Sequence, residues 1–141
     1  MELTLIRGCP GAGKSTLAKK LMNNNSAHYE ADMFWKLFDG TYRFDFKKLT
    51  YAHQWCLSNV AAEFESQDVA KVIVSNTFTT TSEIMPYITL AEVYKVPVKI
   101  INVRTQFKSV HDVPEATIEK MKNRWQEIPD NWNCVVENIL N

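Results

Sequence analysis

The sequence predicts an α/β fold in which βα units are laid around a mainly parallel sheet. Three observations carry that expectation. Short apolar, β-branched runs alternate with longer amphipathic stretches, as they do when strands are buried on both faces and helices cover them. A glycine-rich loop separates the first apolar run from the first amphipathic stretch. The composition, 45% hydrophobic and 23% charged, is that of a globular domain, and 141 residues fit one domain spanning 1–141.

Residues 3–7, with Leu3, Leu5 and Ile6, predict the first strand. Residues 8–13 form a loop and 14–22 a helix that Asn23, Asn24 and Asn25 stop. Residues 28–31 predict a short second strand ending at Asp32, residues 33–38 a single helical turn, and Asp39 with Gly40 a turn. From 47 to about 66, Leu49, His53 (through its ring edge), Cys56, Val60 and Phe64 recur at helical spacing. Residues 69–75 are β-branched and predict a buried strand. Thr80 and Glu83 have capping-box spacing at the start of a helix that runs to about Tyr94. Residues 97–103 predict another buried strand, and 104–113 an irregular polar segment. Pro114 suits a first helical position, and Ile118, Met121, Trp125 and Ile128 fall on one face of the helix behind it. Cys134, Val135 and Val136 are a candidate last strand.

Lys plus Arg is 16 and Asp plus Glu is 16, so the chain is not a generally basic nucleic-acid coat. No apolar run approaches the ~20 residues that cross a bilayer, and the first residues lack the basic and apolar regions of a signal peptide. Cys9, Cys56 and Cys134 are odd in number and widely spaced, which fits neither a disulfide framework nor a zinc pattern. Free thiols suit a reducing cytoplasm, and Cys9 reads as small filler in its loop.

Gly8, Cys9, Pro10, Gly11, Ala12, Gly13, Lys14 and Ser15 match G-x-x-x-x-G-K-[ST] at every fixed position, between a predicted strand and a predicted helix. Glycines let successive backbone N–H groups turn inward around phosphate oxygens, and the helix N-terminus adds its partial positive charge. Lys14 is the candidate for the β- and γ-phosphates, Ser15 for Mg²⁺, and Thr16 for the α-phosphate. The motif therefore predicts binding of a nucleoside triphosphate, ATP with Mg²⁺, without settling the fate of the γ-phosphate.

In open α/β sheets, ligands bind at the carboxyl ends of the strands. Asp32 follows the second strand, where it can orient or deprotonate an attacking hydroxyl near Mg²⁺, or cap the next turn. Glu30 is a reserve base or a solvated edge charge. Ser75, Asn76 and Thr77 follow the third strand, where Asn76 stands in place of an acid often found there and either holds a hydroxyl or forms a turn. Residues 104–113 have the length and polarity of a lid, with Arg104, Lys108 and Arg124 as cations that close on the phosphates and His111 as a cap for the following helix. Tyr42, Arg43, Phe44 and Phe46 mix aromatic and basic character suited to a base, although core packing is the expectation for Phe44 and Phe46. Trp55 and Trp125 are expected to be core or half-buried.

These residues resemble a family. The loop through Thr16, then Glu30-Ala31-Asp32, then Gly40, Tyr42, Phe44 and Asp45 with Leu49, Ala52, His53, Trp55 and Cys56, are similar to small P-loop kinases related to the 5′-kinase domain of phage polynucleotide kinase. The likeness continues through Val72 to Phe78, His111, Val113, Pro114, Met121, Arg124 and Trp125. Phage and bacterial AAA-type ATP-binding proteins and the kinase-like domain of NEDD4-binding proteins share it. The resemblance implies a three-layer α/β/α sandwich with its sheet in kinase order, a closing lid, Mg-ATP as donor, a role for Arg124 at the nucleotide, and a hydroxyl acceptor, in characterised relatives a polynucleotide 5′ end of DNA or RNA. Two departures stand out: Met33 follows Asp32 where those kinases carry paired Asp residues, and Asn76-Thr77 stands where they carry Asp-Thr.

The combined expectation is an ATP-dependent kinase of the cytoplasm of a bacterial or phage-infected cell. Lys14, Asp32 and a lid cation, Lys108 or Arg104, act at the transferring group, with Ser15 and Asp32 toward Mg²⁺. The alternatives are a non-catalytic ATP-binding regulatory module, or a kinase of a nucleoside, a modified DNA base or another small hydroxylated molecule.

Overall fold

In a computed structural model of the chain, which describes residues 1–37, 40, 42–104 and 114–139, five strands pair into one sheet. They are β1 (Glu2–Arg7), β2 (Ser26–Tyr29), β3 (Lys71–Asn76), β4 (Val98–Val103) and β5 (Val135–Ile139), in the order β2-β3-β1-β4-β5. All of these pairings are parallel. Parallel neighbours require crossovers, and α1 (Lys14–Leu21), α2 (Leu49–Ser66), α3 (Thr81–Tyr94) and α4 (Glu115–Asn123) lie between the strands in sequence.

Successive side chains of a strand point to opposite faces. On one face Leu3, Leu5, Val72, Val74 and Ile100 pack with Cys56, Val60 and Phe64 of α2 and with Ile84, Tyr87 and Ile88 of α3. On the other, Ile6, Ile73, Ile101 and Val103 pack with Ala18, Leu17 and Leu21 of α1. The result is the expected three-layer sandwich, and the three central strands β1, β3 and β4 are mostly buried because both of their faces are covered.

Four local expectations are corrected. β2 ends at Tyr29 rather than residue 31, because the Ala31 N–H donates to Asn76 Oδ1 at 2.9 Å and opens a 3-10 turn over Ala31–Lys36. In α2 the buried stripe is Ala52, Cys56, Val60 and Phe64. His53 faces solvent, since a stripe at i, i+4 from Cys56 passes through 52 and not 53. The Thr80 hydroxyl pairs with Ser82 and not with the helix backbone. The Glu83 carboxylate instead accepts from the N–H and hydroxyl of Thr79 at 3.1 and 3.2 Å, and Thr79 is fully buried and needs both acceptors. Finally, α4 stops at Asn123, so Trp125 and Ile128 lie beyond it.

The last of these corrections has a cause in Arg7, which is fully buried at the end of β1. Its Nε donates to the Phe78 carbonyl at 2.9 Å, Nη1 to Asn102 Oδ1 at 3.1 Å, and Nη2 to the carbonyls of Gln126 at 2.8 Å and Thr79 at 3.4 Å. The guanidinium lies 3.6 Å from the centre of the Trp125 ring. Burial pulls its pKa down to about 10, which leaves it protonated at neutral pH. The Gln126 N–H also donates to the Thr79 carbonyl at 2.8 Å. These bonds draw the chain after α4 onto the loop between β3 and α3, and the helical path ends there.

Cys9, Cys56 and Cys134 are all free thiols. Among the described residues, no helix is long and apolar enough to cross a membrane.

Candidate active site

The carboxyl ends of the central strands carry the glycine loop. Gly8 follows β1, and its N–H donates to the Thr77 carbonyl beyond β3 at 3.2 Å. A Cβ at Gly8 would stand 2.7 Å from the Val103 carbonyl oxygen, so only glycine lets the loop pass that close to β4. The loop is closed by an Ala12 N–H to Cys9 carbonyl bond of 3.1 Å. Gly13 sits in the left-handed region, at φ 97° and ψ 21°, immediately before α1. No side chain caps α1 and its first turn holds no acid, so the positive helix end is left for an anion.

Lys14 Nζ donates to the Cys9 carbonyl at 3.1 Å, folding the side chain back over the loop. Burial pulls this ammonium below the ordinary lysine range, with Glu30, Cys9 and Asp32 acting against that pull. Lys14 therefore lacks a full counter-charge in a low-dielectric position, the condition under which an incoming phosphate is most attractive. Pro10, Gly11, Ala12, Gly13, Ser15 and Thr16 complete the loop and the first turn. Ser15 and Thr16 are exposed. Cys9 is buried, and burial raises its thiol pKa, against the attraction of Lys14, Lys122 and Arg124. It packs as a small buried side chain of the loop, and the charges of Lys14, Lys122, Arg124 and Glu119 all act on it.

Glu30 departs most from its expected place. It is no solvated edge charge: its side chain is 17% exposed. Its Oε1 accepts from Ser15 Oγ at 2.5 Å and from Ser75 Oγ at 2.7 Å, with His28 Nε2 at 3.3 Å. Burial works against ionisation, but the hydrogen bonds from His28, Ser15 and Ser75 outweigh it and hold the carboxyl down at about 2. His28 Nε2 also lies 2.7 Å from Ser75 Oγ. The sequence clue is the run His28-x-Glu30 at the end of a strand; the partners on α1 and β3 are 15 and 45 residues away.

Asp32 lies in the first turn of the 3-10 segment after Glu30. It is exposed and accepts from the Tyr42 hydroxyl at 3.4 Å. Its charge reaches Lys14, but the carboxylate bonded to Ser15 belongs to Glu30. Burial, and then Asp32, push the Tyr42 phenol up to about 12, so it remains a donor. Asn76, buried, spends its Oδ1 on the Ala31 amide and so pins the turn that carries Asp32. Arg124 Nε donates to Thr79 Oγ1 at 3.1 Å beside the loop. Arg104 is held by Glu127 at 2.7 Å and Asn138 at 3.0 Å, on the β5 side of the sheet. Lys108, His111 and the rest of the lid fall at 105–113, outside the described residues. Phe44 packs edge-on to Trp35 yet is 53% exposed, and Phe46 is 77% exposed, so neither is core. Trp55 and Trp125 are half-buried, as expected.

A parallel sandwich with an open glycine loop, an invading lysine and an uncapped helix end defines a P-loop ATP-binding domain with a kinase-like fold. The sequence profile of the AAA-domain family matches residues 3–128, and the chain belongs to that family. Human NEDD4-binding protein 2 is 31% identical over an alignment 138 positions long that covers 89% of this chain and 8% of that protein's length. Among solved structures, Kti12 of Chaetomium thermophilum in complex with ADP-AlF3 aligns with a TM-score of 0.67 at 11% identity, covering 97% of this chain and 88% of that one. A sugar kinase from Janibacter sp. aligns at 0.65 and 13% identity, over 98% and 85%. A chain of the Pnkp1/Rnl/Hen1 RNA repair complex aligns at 0.57 and 18% identity, over 91% and 40%. At these identities the likeness is one of fold, shared by proteins of different description.

Proposed function

We propose that the chain is an ATP-dependent phosphotransferase with an alcohol-group acceptor, a polynucleotide 5′-hydroxyl. The observation that carries this reading is Lys14, half-buried over an uncapped helix end, with the charge of Asp32 within its reach. In this reading the loop amides and Lys14 hold the β- and γ-phosphates of ATP. Asp32 takes the proton of the acceptor hydroxyl as its oxygen bonds the γ-phosphorus and the bond to the bridging oxygen breaks, with ADP as leaving group. Lys108, or Arg104 once released from Glu127, adds positive charge at the transferring group, and Arg124 lines the nucleotide side. Bound Mg²⁺ supplies neutralisation of the phosphate oxygens. The donors around Ser15 fit it, because hydroxyl and carboxylate oxygens suit a hard cation.

Support for a polynucleotide comes from the segment between Phe44, which packs on Trp35, and the start of α2. Phe44, Phe46 and Tyr51 are exposed there with Lys47 and Lys48 alongside, a combination of stacking faces and phosphate-pairing cations. Phe46→Ala is expected to raise the KM for an oligonucleotide about fivefold or more, the low end of one lost base stack, as measured by steady-state kinetics. Asp32→Asn is expected to cut turnover at least ~100-fold and to leave ATP affinity intact by calorimetry. Unchanged turnover would remove Asp32 from the mechanism.

The reading is tested by incubating the protein with labelled ATP, Mg²⁺ and 5′-hydroxyl DNA or RNA oligonucleotides, with nucleosides and sugars in parallel. Labelled oligonucleotide is the expected result. Label on a small acceptor alone replaces the polynucleotide. ATP binding with no transfer favours a regulatory module, a reading to which the Arg104–Glu127 pair lends weight because it keeps that cation away from the loop.

A further inference from the structure

We propose that Glu30 is the acidic arm of the divalent-cation site on the nucleotide, delivered from the end of β2 in place of an acid at the end of β3. The inference rests on the nucleotide-binding reading above and assigns the charge expected of Asp32 to a different residue.

P-loop enzymes hold their cation with the loop Ser or Thr and an acid at the end of a neighbouring strand. Here the end of β3, which is β1's neighbour, carries Ser75 and Asn76, and neither bears a charge. Asn76 Oδ1 is committed to the Ala31 amide. The register that pairs Tyr29 with Val74 carries Glu30 alongside Ser75, and their side chains meet at 2.7 Å. A carboxylate thus stands where β3 offers only a hydroxyl.

The hydrogen-bond directions suit the role. A serine hydroxyl has one proton and two lone pairs. Ser15 gives its proton to Glu30 at 2.5 Å, which leaves the oxygen lone pairs for a hard cation. The single Ser75 proton goes to Glu30 as well, so the Ser75 oxygen accepts from His28 Nε2 at 2.7 Å. His28 and Ser75 are positioning residues that fix the carboxylate beside the Ser15 hydroxyl. Asp32 meets Tyr42 instead. Among the described residues, no group of three or more His, Cys, Asp or Glu side chains is arranged to hold a metal alone. The nucleotide's own oxygens must complete the site, as is usual for Mg²⁺.

The test is calorimetric titration of ATP into wild type, Glu30→Gln, Asp32→Asn and the double variant Glu30→Gln/Ser75→Asp, each in EDTA and in Mg²⁺, with thermal unfolding to establish folding. Affinities in EDTA are expected to agree within about threefold. The strengthening of binding by Mg²⁺ is expected to fall at least about tenfold in Glu30→Gln, one lost charge-assisted contact, and to persist in Asp32→Asn. Glu30→Gln with full strengthening, or its loss in Asp32→Asn instead, overturns the assignment. The double variant returns the charge from β3 and keeps the test open should Glu30→Gln not fold: recovery of the Mg²⁺ effect supports the site, and its absence in folded protein overturns it. Failure of wild type to bind ATP even in EDTA would strike the nucleotide reading itself, a distinguishable result.

Discussion

Lys14→Ala is expected to abolish phosphoryl transfer and to weaken ATP binding about tenfold or more. Among the described residues, the ammonium donates to the Cys9 carbonyl at 3.1 Å, a neutral acceptor that a phosphate oxygen readily displaces. Hydrogen bonds between charged groups contribute ~1.5–3 kcal/mol, and a tenfold change in affinity is ~1.4 kcal/mol. The effect on turnover is larger, because charge builds on the oxygens of the transferring group and no other described cation donates into the loop. Loss of one such donor costs ~10²–10³ in rate, and with transfer reduced that far no label should be detectable in acceptor. Burial penalises the lysine charge in the empty protein, so Lys14→Ala should unfold at no lower temperature than wild type. That separates a functional loss from a folding defect. A variant that still transfers label at more than a tenth of the wild-type rate would remove Lys14 from the reaction.

Arg7→Ala is expected to destabilise the fold by more than about 3 kcal/mol, a large share of the ~5–15 kcal/mol that holds a domain together. Removal of the side chain leaves the buried Phe78 carbonyl and Asn102 amide oxygen, and the part-buried Gln126 carbonyl, without their Arg7 donor, while the Thr79 carbonyl keeps the Gln126 N–H. Each orphaned buried group costs ~1–3 kcal/mol, and a cavity opens beneath Trp125. The relief of guanidinium desolvation offsets part of that sum. Urea unfolding monitored by tryptophan fluorescence measures the change as a lowered midpoint at similar slope. A loss below about 1 kcal/mol would show that the chain after α4 is held by its other contacts. Because Arg7 ties the loop after β3 to the segment behind α4, the same substitution should also loosen Arg124 from Thr79.

The two predictions fall on opposite sides of what a linear chain reveals. Lys14 is legible from its neighbours. Arg7 reads only as the polar end of a strand, and nothing within several residues of it indicates the four acceptors, three of them buried, that it meets. The pattern of apolar runs marks β1, β3 and β4 and the main helices, since burial on both faces leaves a local signature, whereas half-buried β2 and exposed β5 leave a weaker one. Boundaries failed where a tertiary hydrogen bond intervened. The Ala31 amide chose Asn76 over the β ladder, and Gln126 was drawn to Thr79 and Arg7 before α4 could extend to Trp125. His53 was counted with the core because its ring is half apolar, and only the packing of Ala52 against Ala31 and Trp35 decided otherwise.

The amino-acid sequence by itself determined the phosphate loop, because its shape is set by backbone preferences and bonds over a few residues, such as Gly13 in the left-handed region and the Ala12 amide on Cys9. Only the three-dimensional structure decided which carboxylate meets that loop. Glu30 and Asp32 are two residues apart and chemically alike in the chain, and the choice between them depends on where β2 stops and on its register against β3. Those are set by partners 45 residues away, a distance over which no local preference carries information.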